Sequence, residues 1–211
     1  AFVVWKMGRA ANHPNERLEK NSIAALLHDI GAFSLEEKIS LRNNEVEDVE
    51  PHCIRGEILL GNIPWLKDSS KIIRFHHREW QDWKESIENP LVFDSQVLFL
   101  ADYLERSIGR DYYILHQHED IIFKIKSLSG SLFHPRVVDI FLMISDREEF
   151  WLDLVSPRLY SILLNEGPFR KIEIEVSDIR LLSELFRNII DFRSRFTSTH
   201  SSGVAASACM L

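Results

Sequence analysis

Ala24-Ala-Leu-Leu-His-Asp-Ile-Gly31 sets an imidazole and a carboxylate side by side after four small or apolar residues, and the reading of the fold turns on it. Burying such a pair is costly unless something binds it. A divalent metal is the simplest binder, since neutral imidazole and ionised carboxylate are good ligands for iron, manganese or zinc. Adjacent residues on a helix point about 100° apart, so His28 and Asp29 can close on one ion only near a helix end, and Gly31 is read as supplying that end. The dipeptide by itself is weak support, because a helix-terminal pair bridged by water accounts for it as well.

Further ligand types follow downstream. His52 opens an apolar helix (His52-Cys-Ile-Arg-Gly-Glu-Ile-Leu-Leu60), the doublet His76-His77 closes another (Lys71-Ile-Ile-Arg-Phe-His-His77), and Asp102 sits inside a third (Val97-Leu-Phe-Leu-Ala-Asp-Tyr-Leu104). Each polar residue interrupts an otherwise apolar face. A single metal centre inside a helical bundle explains these interruptions together. Asp102 has a bland reading as a cap or salt-bridged acid, but an uncompensated buried carboxylate is costly, which favours ligation.

In this motif order the chain resembles the HD superfamily of metal-dependent phosphohydrolases and, within it, the HD-GYP branch. The resemblance runs over residues 1–108: Leu-Leu-His-Asp-Ile-Gly (26–31), Pro51-His52 with Gly56, Phe75-His-His-Arg-Glu-Trp80, and Leu100-Ala-Asp-Tyr103. It implies an all-α helical bundle in which His28, Asp29, His52, His76, His77 and Asp102 hold divalent ions, two being expected, with iron or manganese favoured and zinc possible. Asp29 is the ligand expected to bridge them. It also implies hydrolysis of a phosphodiester, in the HD-GYP branch cyclic di-GMP.

Three departures accompany the resemblance. Families with the full catalytic set carry Lys three residues after the Asp, where this chain has Ala32. The branch's His-His-Glu, Asp-Gly and Gly-Tyr-Pro elements are absent from His76-His-Arg-Glu-Trp-Gln-Asp-Trp-Lys84, with Arg78 in place of the acid. The family's first ligand histidine lies on the helix before the His-Asp pair; here the only upstream histidine is His13, in the turn-like Asn12-His-Pro-Asn15, so the ligand is expected before residue 1.

Composition bounds the alternatives. With 211 residues there is room for one good core and a second, smaller body. Lys plus Arg number 25 against 32 Asp plus Glu, a net charge of −7, which argues against a generic nucleic-acid binder while leaving a small phosphorylated nucleotide open as ligand. Cys53 and Cys209 suggest neither a disulfide framework nor a zinc knuckle. The expected setting is cytoplasmic, with no membrane partner, since no apolar run approaches the roughly 18 residues of a spanning helix.

In chain order, residues 1–11 read as an amphipathic helix, 15–29 as the helix delivering the pair, and 35–42 as a short helix with a mobile polar tail. Helices are also expected at 52–62, 68–77, 93–108, 114–128 and 135–145, with hairpin material at 148–164. His116, His118 and His134 read as ordinary surface residues. Gly167-Pro168 is the clearest break, Lys171 to Val176 is a linker or short strand, and 179–196 is a long amphipathic helix. The organisation expected is therefore a divergent HD domain over 1–165, a linker and connecting helix over 166–198, and over 199–211 the opening helix of a second HD unit, with His200 its first ligand. The chain is read as a piece of something longer, a homodimer being possible.

Two functions compete. One is a phosphohydrolase using the six ligands; the other is a catalytically degenerate metal- or nucleotide-binding domain that regulates a following HD-GYP domain. A pure interaction scaffold is the weaker third.

Overall fold

The computed structural model describes residues 1–42, 48–169, 175–193, 203–204 and 207–208, and among them there are eleven α-helices and no β-strand. The helices are α1 (Phe2–Ala10), α2 (Asn15–Leu27), α3 (Leu35–Arg42), α4 (Glu50–Gly61), α5 (Lys67–Arg74), α6 (Pro90–Ser107), α7 (His118–Ser127), α8 (Pro135–Ser145), α9 (Glu148–Leu154), α10 (Leu159–Glu166) and α11 (Val176–Arg193). The all-α expectation is met.

The core is built around α1 and α6. Phe2, Val3, Val4, Trp5 and Met7 are all buried, so α1 is a central helix and not the half-exposed amphipathic one its sequence suggested. Lys6 is compatible with that position because its ammonium lies over the Trp5 and Phe2 rings, 4.9 and 5.1 Å from their centroids. Gly8 lets α2 approach, since a Cβ there would lie 2.6 Å from Leu18 Cδ2.

Helix α6 begins three residues before the expected Phe93. The Asn89 side chain accepts a hydrogen bond from the Leu91 N–H (3.0 Å), and Pro90 supplies a first-turn residue that needs no donor. The expected helix over 114–128 is broken instead: a 3-10 turn at Ile114–His116 precedes α7. The Gln117 amide accounts for the break, because it pairs with the Gly109 N–H (2.8 Å) and carbonyl (3.0 Å), pinning the chain between the two pieces.

Helix α2 is latched onto α6 by a two-pronged ion pair. Arg17 donates through Nη2 to Asp94 Oδ1 (2.9 Å) and through Nε to Oδ2 (3.0 Å). Burial raises the Asp94 pKa and the Arg17 pairing opposes it. The latch fixes how the far ends of α2 and α6 meet, which is where the ligand-type residues stand. Helix α11 touches α4, and its Leu185 is buried while Phe186 and Ile190 are exposed. Much of the stretch expected to be a mobile tail after α3, the linker or strand at 171–176 and the helix over 199–211 with His200 lies outside the described residues.

Candidate metal centre

The helical pattern of α2 stops at Leu27, and two tight turns follow, closed by Ile30 N–H to Leu27 O (2.9 Å) and Ala32 N–H to Asp29 O (3.0 Å). That tightening rotates Asp29 relative to His28 so that both side chains reach one space. Gly31 has a role different from the one read in the sequence. Gly130 is the glycine with positive φ among the described residues, so Gly31 does not end the helix through a left-handed conformation. It is instead a point of contact: a Cβ there would lie 2.0 Å from the His52 carbonyl oxygen and 2.6 Å from the Gly56 nitrogen. The His-Asp turn is thereby pressed onto the backbone of α4.

His52 comes from the first turns of α4, and His76 and His77 from the turn after α5. The His76 ring is oriented by its Nδ1, which donates to the Ile73 carbonyl at 2.7 Å and leaves the Nε2 lone pair directed inward. His28 is held the same way, Nδ1 to the Ala25 carbonyl at 3.1 Å.

All six residues singled out from the sequence come together. Asp29 Oδ1 lies 3.5 Å from His52 Nε2 and 3.9 Å from His76 Nε2, while its Oδ2 lies 3.3 Å from His28 Nε2. Asp102 Oδ1 is 3.6 Å from His28 Nε2, its Oδ2 is 3.9 Å from His77 Nδ1, and the Nε2 atoms of His52 and His76 are 3.3 Å apart. Two donors each about 2.1 Å from a common ion stand roughly 3.0–3.4 Å apart; the His28–Asp29 and His52–His76 pairs have that spacing and the other four pairs are up to about half an ångström wider. The Asp29 carboxylate lies between two groups of donors, as a bridging ligand must.

The centre is graded from dry to wet. The His52 and His76 side chains are 1% and 0% exposed, whereas Asp29 is 41% exposed. The His-Asp pair is therefore not carried into the core; α2 ends at the rim, so one face of the centre opens to solvent. The salt-bridged reading of Asp102 is met, since the Arg106 guanidinium one turn on lies 2.8 Å from its Oδ2 as an ion pair, while its other oxygen faces His28.

Electrostatics prepares the donors. Burial lowers the pKa values of His52, His76 and His77, the last to about 3, and neutral imidazoles are the ligand form. For Asp29 and Asp102, burial would raise the carboxyl pKa, but hydrogen bonding to His28 and neighbouring positive charge hold both below the ordinary carboxylate range. For His28, burial alone would disfavour the cation, yet Asp102 and Asp29 together raise it to about 10. A divalent cation fits this donor set of neutral imidazoles and ionised carboxylates.

Cys53 was missed as a cluster member. Its Sγ lies 3.5 Å from His76 Nδ1 and 3.7 Å from His52 Nε2 and donates to the Val49 carbonyl at 3.4 Å; burial pushes its thiol pKa up to about 12, so it stands beside the histidines as a neutral thiol. Its only sequence signal was adjacency to His52. Arg78 does not take over as a group in the centre, because its guanidinium stacks on the Trp83 ring at 4.8 Å. Two of the expected surface histidines are structural: His134 accepts from the Arg136 N–H (3.0 Å) to cap α8, and His118 packs on Trp151. His116 is exposed, and His13 packs on Phe93.

A cavity of about 210 Å³ opens over the centre, lined by His28, Asp29, Lys38, His77, Asp102 and Arg106 among others. A larger one of about 620 Å³ shares His28 and Asp102 with it.

Residues 3–107 match the family described as HD domain. A curated relative, 3'3'-cGAMP-specific phosphodiesterase 1 of Vibrio cholerae serotype O1, is 27% identical over 214 residues, covering 97% of this chain and 50% of the relative. A cyclic di-GMP phosphodiesterase of Thermotoga maritima is 28% identical over 156 residues, covering 67% of this chain and 42% of the relative. The chain thus spans half or less of the length of these relatives. Among solved structures, that of a cyclic GMP-AMP specific phosphodiesterase from V. cholerae has the same fold, with a TM-score of 0.71 at 16% identity over 97% of this chain and 57% of the other.

Proposed function

From the HD domain at residues 3–107, we propose that the chain is the metal-dependent phosphohydrolase part of a protein that cleaves a cyclic dinucleotide. His28, Asp29, His52, His76, His77 and Asp102 would hold the divalent ions, with His28, Asp29 and His76 forming one close donor group and His52, His76 and His77 another; iron or manganese suits the mixed nitrogen and oxygen set, with zinc also compatible. Bound there, the ions supply charge neutralisation for a phosphodiester and an activated water. The observation that carries this reading is the Asp29 carboxylate, whose two oxygens face different imidazoles while its outer side is open to solvent. Substrate reaches that side; His52 and His76 close the other against water. Two curated relatives are phosphodiesterases of 3'3'-cGAMP and cyclic di-GMP, which supports a cyclic dinucleotide as the substrate class.

The second reading, a regulatory domain with a surviving metal centre, is favoured by Ala32 and by the stacking of Arg78 away from the site. In it, α11 links the domain over 1–165 to a following HD unit that begins near 199.

Anaerobically purified protein should carry between one and about two equivalents of transition metal and hydrolyse 3'3'-cGAMP or cyclic di-GMP, with His76→Ala abolishing both properties. Full metal without hydrolysis selects the regulatory reading. Less than about half an equivalent refutes both.

A further inference from the structure

The resemblance leaves one position empty of its expected chemistry: where a phosphate-binding lysine belongs, Ala32 is 2% exposed and packed inward. An ammonium beside the centre would add to the charge neutralisation that the ions supply and would fix the position of a phosphodiester oxygen. The cavity over the centre has a lysine in its wall. Lys38 of α3 lines it together with Leu41, and residues three apart on a helix share a face.

Helix α3 is held against the His-Asp turn by an anchor at the residue before Lys38. Glu37 receives the Arg55 guanidinium and also the Phe33 N–H (3.0 Å), while Arg55 Nε donates to the Gly31 carbonyl at 2.7 Å. The Ser34 hydroxyl accepts from the Glu37 N–H at 3.0 Å, capping the first turn. One clamp thus ties α3, the His-Asp turn and α4 together, and Lys38, adjacent to the clamped glutamate, is turned to the mouth. Lys38 has no ion-pair partner among the described residues, whereas the other cation of the cavity wall, Arg106, is engaged by Asp102. A cation in the wall of a cleft and not paired within the protein is available to a ligand.

We propose that Lys38, delivered from α3 by the Glu37–Arg55 clamp, is the phosphate-binding residue of this centre and replaces the lysine that Ala32 cannot supply. The cavity volume of about 210 Å³ is below the roughly 300–1,000 Å³ of sites that enclose a whole organic ligand, so it has room for the phosphodiester and not for the whole dinucleotide.

The inference rests on the phosphohydrolase reading but is tested apart from it. Metal-loaded wild type, Lys38→Met and Lys38→Arg are compared for metal content, inorganic phosphate affinity by calorimetry, and kcat and KM on the two cyclic dinucleotides. Lys38→Met should keep the metal, bind phosphate about 10-fold more weakly and lose roughly 10–100-fold in kcat/KM, with Lys38→Arg recovering most of both. Phosphate affinity and turnover within about 2-fold of wild type in Lys38→Met overturn the proposal. If wild type hydrolyses nothing yet phosphate affinity still depends on Lys38, the hydrolase reading fails and the phosphate site stands. If metal-loaded wild type binds no phosphate, the phosphate site fails.

Discussion

Gly31→Ala is the sharpest test of how the centre is assembled. The added Cβ would sit 2.0 Å from the His52 carbonyl oxygen and 2.6 Å from the Gly56 nitrogen, and contacts under 3.0 Å do not persist. Both obstacles are backbone, so no side-chain rotation relieves them; the His-Asp turn and α4 must separate by about 1 Å (3.0 − 2.0 Å). Metal–ligand distances tolerate only about 0.2 Å. His28 and Asp29 on the turn, and His52 on α4, could then no longer share ions. Overpacking of this kind costs about 1–3 kcal/mol, which for a chain of this length lowers the melting temperature by roughly 2–12 °C. The assay is metal content by elemental analysis, with thermal melts of the chelated and loaded forms. Gly61→Ala is the control, because its Cβ meets only the Ser70 hydroxyl at an ordinary 3.6 Å. Gly61→Ala should load and melt like wild type, whereas Gly31→Ala should lose most of its metal and also melt lower after chelation. A Gly31→Ala protein with wild-type metal stoichiometry and a melt within about 1 °C would refute the contact argument.

Two further outcomes follow from the fold. Burial, reinforced by the Arg17 and Arg136 guanidiniums, lowers the His13 pKa to about 4, so the folded state keeps His13 neutral while the unfolded chain protonates it near 6.5. The stability this contributes is complete above the unfolded value and is lost as pH falls from 6.5 toward 4. The urea midpoint of His13→Gln should therefore drop less than that of wild type between about pH 7.5 and 5, and equal drops would contradict this. Trp151, 0% exposed and donating from Nε1 to the Ser145 carbonyl at 2.9 Å, ties α9 to α8. Trp151→Ala should cost about 3–5 kcal/mol and lower a single cooperative transition; a variant with an unchanged main transition would mean that α8 and α9 are not part of the same folding unit.

Much of this molecule was legible because its signals are local. Helix α3 matches the expected 35–42 span, and α8 the expected 135–145, since each is a short periodic run between breakers. The six ligand-type residues stood out as polar interruptions of apolar faces, and an interruption is visible wherever it lies along the chain. Apolar periodicity alone places the start of α6 three residues late, because the Asn89 cap and Pro90 that begin it lie ahead of the periodic run. The break before α7 was illegible because it depends on Gln117 reaching back to Gly109.

The sequence alone determined the helical class and the residue types of the centre, because apolar periodicity fixes which way each side chain points around its own helix axis. It carries no information about which helices then face one another or how closely. Only the tertiary structure decided that Gly31 is a contact with α4, that Cys53 joins three histidines, that Arg106 shares Asp102, and that Lys38 faces the cleft. Each of those is a distance between elements far apart in the chain, set by packing and not by spacing along it.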